Sequence, residues 1–364
     1  MRLSQLHISN IRNIVNVELQ FHDLLNLFVG ANGSGKTSLL EAIYFLGSGR
    51  SFRSQQLSSL VSEGSQSCTV FGIKQSGAIQ TRLGVHRHKD GSREIKINGV
   101  ESSKASELAR ELPVLVLGPQ TVDLLLGPPG DRRKFLNWGT FHVEPGFTEI
   151  WVSANRCLKQ RNRLLRQGST DSEEFETWTN ELISGAEKID DQRQRYFDRF
   201  VGVFSEVCQS LTELKDVRCD YQRGWESELA TTYSDQKESD YKRGYTQSGF
   251  HRADLRITVA GKTAVSVCSR GELKILAWAL LLSQGKIVSA GERDRPVYLV
   301  DDLTSEMDEN HRENVCRHLL QSGGQVLATG IELNPLNDSW GAASRKVFHV
   351  ERGAFSVQES EIYE

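Results

Sequence analysis

Gly30-Ala31-Asn32-Gly33-Ser34-Gly35-Lys36-Thr37 is the stretch on which the reading of this chain turns. It fits the pattern GxxxxGK[ST], and its flanks fit as well: the apolar run Leu24 to Gly30 predicts a strand and Ser38 to Leu46 predicts a helix. Glycines let successive backbone N–H groups curl around phosphate oxygens, and a helix N-terminus adds partial positive charge. Lys36 is then expected on the terminal phosphates and the Thr37 hydroxyl on a metal ion, which makes ATP and Mg2+ the expected cofactors. Ser38, the next residue, joins the expected nucleotide-binding set.

Such a site needs carboxylates on a neighbouring strand. Val297 to Val300 is apolar and runs into Asp301-Asp302. Asp301 is expected to hold Mg2+, directly or through water, and Asp302 to polarise the attacking water. Farther upstream, Cys268-Ser269-Arg270-Gly271-Glu272 precedes the apolar helix Leu273 to Leu282. Ser269 and Glu272 have the spacing of a capping box. The same helix start, with its Ser and Gly, also suits the γ-phosphate of a nucleotide held by a second subunit. Ser305-Glu306-Met307-Asp308 follows the paired acids.

Outward from these motifs, the chain has 364 residues with 44 Lys+Arg against 47 Asp+Glu, a net charge of -3. That balance excludes a globally basic, histone-like binder, so any polyanion site must be local. A hydrophobic content of 38% and a charged content of 25% describe a globular chain of roughly two domains. The longest clean apolar run, Ile275 to Leu282, has 8 residues, against about 20 for a membrane span. No membrane association is expected, and no secretory signal pattern is present. The six cysteines are scattered without a CxxC pair, which points to reduced thiols and a cytoplasmic location.

Before residue 118 the pattern is strands. Val15, Val17, Leu19 and Phe21 alternate with polar residues, and segments 67 to 74, 80 to 88 and 93 to 100 read as an antiparallel meander with Asp90-Gly91 as a turn. Val114 to Leu117 reads as a buried strand. From Gly127 the period lengthens to that of helices. Phe147 to Leu164 marks one helix and Phe175 to Leu211 a longer one, joined by a turn at Gly168 to Ser172. Strands return after Val217, with a polar loop at 231 to 245, and the last third alternates strand and helix. The expected domains are a head of two segments, 1–122 and 215–364, and a helical insert, 123–214.

The order of the motifs resembles the ATP-binding heads of the ABC ATPase superfamily, with Gln120 in the Q-loop position, Ser269-Arg270-Gly271 as the signature and Ser305 to Asp308 as the D-loop. More narrowly, the chain resembles the RecF family of bacterial recombination mediators. This resemblance rests on Asn10-Ile11-Arg12-Asn13, Gly49-Arg50-Ser51-Phe52-Arg53, Arg132-Arg133-Lys134-Phe135-Leu136, Lys159-Gln160-Arg161-Asn162, His251-Arg252-Ala253-Asp254-Leu255 and the acids from Asp301 on. It implies an α/β fold: an ABC-type P-loop ATPase head, a mixed sheet plus an antiparallel meander, with an inserted antiparallel helical arm. It places Arg12 and Asn13 near the nucleotide base and Gln120 near Mg2+ and the attacking water, beside Lys36 and Asp302 as catalytic residues. Ser269, Arg270 and Gly271 would act across a head-to-head homodimer that forms on ATP. The chain departs from the family pattern at Cys268, where Leu is usual, at Glu272 for Gln, at Met307 for Leu and at Phe250 for Pro. After the last core strand, Gln325 to Thr329, there is no His of the transporter switch type, and Thr329 is a candidate for a weaker γ-phosphate contact.

The resemblance further implies an ATP-dependent DNA-binding protein with slow, DNA-stimulated hydrolysis. Its role would be recombinational repair and replication-fork maintenance, promoting RecA loading at gapped DNA with RecR and RecO. Charge patterning supplies DNA-contact candidates. From Asp131 to Arg166 there are 8 Lys+Arg against 3 Asp+Glu, whereas Gln167 to Gln194 has 2 against 8. Arg132, Arg133, Lys134, Arg156, Lys159, Arg161 and Arg163 are the candidates in the insert, with Arg50 and Arg53 after the P-loop helix. Equally, oppositely charged helices attract each other without any DNA. An SMC-like structural clamp is one alternative, but an insert of about 90 residues gives helices of only about 50 Å. A small-molecule P-loop kinase is another, and it leaves the signature and D-loop unexplained.

Overall fold

The computed structural model describes residues 1–54, 56–291 and 295–358. In chain order the strands among them are β1 (Arg2–Ile11), β2 (Ile14–Gln20), β3 (Leu25–Val29), β4 (Ser67–Ser76), β5 (Ile79–His88), β6 (Arg93–Ile97), β7 (Val100–Ser102), β8 (Val114–Leu117), β9 (Val217–Gln222), β10 (Asp254–Val259), β11 (Lys262–Thr263), β12 (Val297–Val300), β13 (Val326–Gly330), β14 (Arg345–Glu351) and β15 (Ala354–Gln358). Two compact units result: Met1–Thr121 with Trp278–Glu364, and Val122–Ala277.

The first unit contains two six-stranded sheets. One is ordered β2-β1-β4-β5-β6-β7 and is antiparallel throughout. The other, β15-β14-β3-β13-β12-β8, is parallel except for its edge strand β15. Parallel strands are covered on both faces, which is why β3, β12 and β13 are buried at every position and read as mainly apolar runs, interrupted by the buried Asn26 and Thr329. The helix Lys36–Ser48 contributes Leu39, Leu40, Ile43, Phe45 and Leu46 to a core shared with Leu6, Ile8, Val70 and Leu83 of the meander and Leu299, Leu327 and Phe348 of the parallel sheet. With a sheet on either side, it is buried around most of its circumference rather than along one stripe, Glu41 included. Segment 93 to 100, expected as one strand, is two: Asn98 and Gly99, both at positive φ, turn β6 back into β7. Asn-Gly is a strong two-residue hairpin signal, and it decides the local structure here.

The second unit holds the helices Pro129–Val143, Phe147–Gln167 and Glu173–Leu211 with the sheet β11-β10-β9. Pro129 stands at the first helical turn, where its missing N–H costs nothing. Gly168, left-handed, ends the second helix, and the Ser172 side chain caps the third by accepting from Phe175 N–H. The long helix has 39 residues, about 58 Å at the standard rise. Its apolar stripe, Leu182, Ala186 and Ile189, packs with Phe147, Ala154 and Cys157 of its antiparallel partner. The region 231 to 245 is not the polar loop expected but two short helices, Leu229–Asp235 and Lys237–Arg243, fixed by the buried Leu229, Tyr233 and Asp240. This unit runs on to Ala277, past the expected return to the head at residue 215, because β9 and β10 pack on the helices Glu173–Leu211 and Pro129–Val143. No helix among the described residues is long and apolar enough to cross a membrane.

Candidate nucleotide-binding site

Strand β3 delivers the chain into the loop 30–37. Gly33 and Gly35 take φ of +77° and +123°, conformations that a side chain would resist. A Cβ on Gly30 would collide with the carbonyl of Val350, so that position admits only glycine. The Lys36 ammonium lies back over the loop, donating to the carbonyls of Gly30 at 2.6 Å and Ala31 at 2.9 Å. Burial lowers its pKa, opposed by the nearby Asp302 and Asp301 charges. Thr37 Oγ1 donates to the Asp301 carboxylate, 2.9 Å from Oδ1 and 3.1 Å from Oδ2. Residues 264 positions apart thus meet at the ends of β3 and β12.

Asp301 is buried, and that desolvation raises its pKa; hydroxyl bonds from Thr37 and Thr329 oppose the rise. Asp302 adopts a left-handed conformation (φ 53°, ψ 48°), and its Oδ1 is buried without a partner. Together Asn32, Gly33, Gly35, Lys36, Thr37, Ser38, Arg53, Asp301, Asp302 and Thr329 line a cavity of about 170 Å³. A threonine hydroxyl and a carboxylate meeting beside a lysine form an all-oxygen donor set of the kind a hard cation such as Mg2+ takes, so the residues present fit Mg2+ and a phosphate chain.

The remaining expected nucleotide residues divide. Asn13 joins the loop: its Nδ2 donates to Gly33 O at 3.1 Å, and its Oδ1 accepts from Ser38 Oγ at 2.9 Å. Arg12 is engaged by Glu41, a buried carboxylate of the P-loop helix, through two bonds of 2.8 Å. Gln120 is exposed in the turn Pro119–Val122 after β8 and does not line the cavity. Ser269, Arg270 and Gly271 are exposed in the second unit. There the capping box forms, Ser269 N–H donating to Glu272 Oε2 at 2.7 Å and Glu272 N–H to Ser269 Oγ at 3.3 Å.

Arg53 was expected on a DNA-facing surface, yet it lines the cavity, with Glu41 3.8 Å away. The available signal was its place soon after the P-loop helix. Of the other DNA candidates, Arg161 is overturned as a surface contact. It is fully buried, donating to Asp240 at 2.8 Å and Thr246 at 2.6 Å and lying over the Tyr233 ring. Arg132 forms a partly buried bidentate pair with Asp254, and Arg133 donates to Ala253 O. Arg163 pairs with Glu174 across the two helices of the arm, and Arg156 lies over Trp178. The first contact belongs to the attraction between oppositely charged helices; the second is a cation–π contact with a neutral ring. Lys134 is exposed and pairs with Asp131; Lys159 and Arg50 are exposed.

A family model described as RecF/RecN/SMC N terminal domain matches residues 2–355. The DNA replication and repair protein RecF of Shewanella pealeana is 42% identical over 363 residues, spanning 99% of this chain and 100% of that protein. Its counterpart in Pseudomonas syringae pv. syringae is 40% identical over 359 residues, 97% of each chain. Among solved structures, the recombination mediator protein RecF-ATP of the RecFOR pathway superposes with a TM-score of 0.87 at 23% identity, over 98% of this chain and 97% of that one. An SmcHead bound to the C-winged helix domain of ScpA gives 0.60 at 16% identity, over 98% and 97%. At these identities the structures speak for the fold, an α/β head with a helical arm, while full-length sequence identity near 40% speaks for descent: the chain belongs to the RecF family.

Proposed function

We propose that this protein is an ATP-dependent DNA-binding protein whose two heads close on ATP and DNA and reopen after slow, DNA-stimulated hydrolysis. The junction of Thr37 with Asp301 carries the reading, because it supports a metal-phosphate site that neither half could make alone. Lys36 would leave the carbonyls of Gly30 and Ala31 for the terminal phosphates. Mg2+, held by Thr37 and Asp301, would neutralise charge developing on the phosphates. Asp302 would orient the attacking water and take its proton as the water oxygen bonds to the terminal phosphorus and ADP departs with the bridging oxygen's electron pair. Its unpartnered Oδ1 supports this role. Arg12, Asn13 and Gln120 would serve the base and the water, and Ser269, Arg270 and Gly271 the partner subunit's nucleotide.

The names of the relatives support a part in DNA replication and repair. The protein would act in the cytoplasm and mark gapped DNA for RecA loading with RecR and RecO. Sedimentation with ATP, ADP or no nucleotide, each with and without duplex DNA, tests the core of this reading. Dimers are expected with ATP and DNA, and Lys36→Arg should abolish them, because a planar guanidinium does not seat where a compact ammonium does. Equal sedimentation in every condition would refute it.

A further inference from the structure

Strand β13 lies between β3, which leads into the loop 30–37, and β12, which leads into Asp301 and Asp302. Its last two residues reach both ways. The carbonyl of Gly330 accepts from Gly30 N–H at 3.3 Å. The fully buried Thr329 hydroxyl touches Asp301 Oδ1 at 3.0 Å and Asp302 N at 2.8 Å. Bond directions follow from chemistry: an amide N–H only donates and an ionised carboxylate only accepts. Thr329 Oγ1 therefore accepts from Asp302, and its single proton goes to Asp301. No proton is left for a phosphate oxygen, which argues against the γ-phosphate contact expected from sequence.

The two bonds act on the two acids differently. Asp301 accepts hydroxyl hydrogen bonds from both Thr37 and Thr329, which fix the orientation of its buried carboxylate. Asp302 is held through its backbone. A residue with a Cβ enters the left-handed region only at a cost, and such a conformation persists where the surroundings fix it. The bond from Asp302 N–H to Thr329 helps to fix it here, beside the bond that the Asp302 carbonyl accepts from Ser305 N–H at 3.1 Å.

We propose that Thr329 is a positioning residue for hydrolysis, its hydroxyl setting the backbone of Asp302 so that the carboxylate meets the attacking water. The inference rests on the ATPase reading above for its consequence, though not for its geometry. Thr329→Val keeps the shape and removes both bonds, while Thr329→Ser keeps the hydroxyl. In Thr329→Val the single-turnover rate of ATP hydrolysis should fall roughly 10- to 100-fold, as for a misplaced catalytic group, with affinity for fluorescent mant-ATP and Mg2+ within about threefold of wild type. Thr329→Ser should restore the rate. Without any nucleotide, amide hydrogen exchange at Asp302 should quicken in the valine variant and return to normal in the serine variant.

A valine variant with wild-type turnover and unchanged exchange would overturn the proposal. So would a loss of mant-ATP affinity in proportion to rate, which would make Thr329 a phosphate ligand. If the valine variant does not fold, Thr329→Ser decides, since a folded serine variant with slow turnover also overturns it. If wild type itself hydrolyses no ATP, the ATPase reading fails, and the exchange measurement still decides whether Thr329 holds Asp302.

Discussion

The Arg161 side chain is fully buried, and its partner Asp240 is equally buried. Asp240 also accepts from the backbone and side chain of Gln247, so the carboxylate is well satisfied while the arginine stays. Arg161→Met should cost about 3–5 kcal/mol, because an uncompensated buried charge is left behind, and adding Asp240→Leu should recover most of it. Chemical denaturation of the single and double variants checks this. The neighbouring His251 donates Nε2–H to the carbonyl of Thr246 at 3.0 Å and leaves Nδ1 buried and unpartnered. Burial above all, with Arg252 and Arg133 adding to it, lowers its pKa to about 4. The folded protein thus holds a neutral ring that the unfolded chain protonates below about pH 6.5. The stabilisation is complete above that pH and is lost as pH falls toward 4, about 2 kcal/mol of it by pH 5. The melting temperature should drop less between pH 7 and 5 in His251→Asn than in wild type; equal drops would remove His251 as the cause. Thr37 and Asp301 were legible in the sequence because their roles attach to a fixed motif. Arg161 was not, since a charge count is blind to whether a guanidinium is solvated or buried.

At the scale of elements, periodicity revealed the arm and the meander but missed the features set by single side chains. The Asn98-Gly99 hairpin was a local turn signal overlooked inside an apolar alternation, whereas the helices Leu229–Asp235 and Lys237–Arg243 were hidden inside a polar stretch because they depend on a buried contact far away in sequence. The same blindness affects the arm's charge. Its basic helix Phe147–Gln167 places Arg161 inside, Arg163 on Glu174 and Arg156 on Trp178, which leaves Lys159 as an exposed cation of that face. If the arm touches DNA, Lys159→Gln should lower the slope of log K against log salt by roughly 0.9, the value for one phosphate contact, with little change in thermal stability. Titrations of labelled duplex across a range of salt, with ATP present, provide the measurement. An unchanged slope would assign the charge asymmetry to pairing within the arm alone.

For the whole molecule, the question is whether one chain can complete its own site. The cavity at Lys36, Thr37 and Asp301 belongs to the first compact unit, whereas Ser269, Arg270 and Gly271 are exposed at a capped helix start in the second. With the Ser269 and Glu272 N–H groups taken by the capping box, the Arg270 and Gly271 N–H groups and the partial positive charge of the helix start remain for an anion, and in a head-to-head dimer each would complete the other subunit's cavity. Lys36→Ala removes the ammonium proposed for the phosphates, and Ser269→Arg puts bulk where the second subunit's γ-phosphate would sit. Each homodimer should therefore lack ATPase activity. In a heterodimer of the two variants, two-fold symmetry gives one site both lesions and the other site neither. If subunits assort randomly, half the dimers are mixed and each carries one intact site of two. Activity should then reappear on mixing at up to about a quarter of wild type, and lower if the two sites must fire together. Far-ultraviolet circular dichroism of each variant excludes misfolding as the cause of inactivity, and the mixing curve should peak at equal amounts. Persistent silence at every ratio, from variants shown to co-sediment with ATP, would mean that the sites are not shared in this way. A Ser269→Arg protein hydrolysing ATP at the wild-type rate as a monomer would show that a single chain suffices.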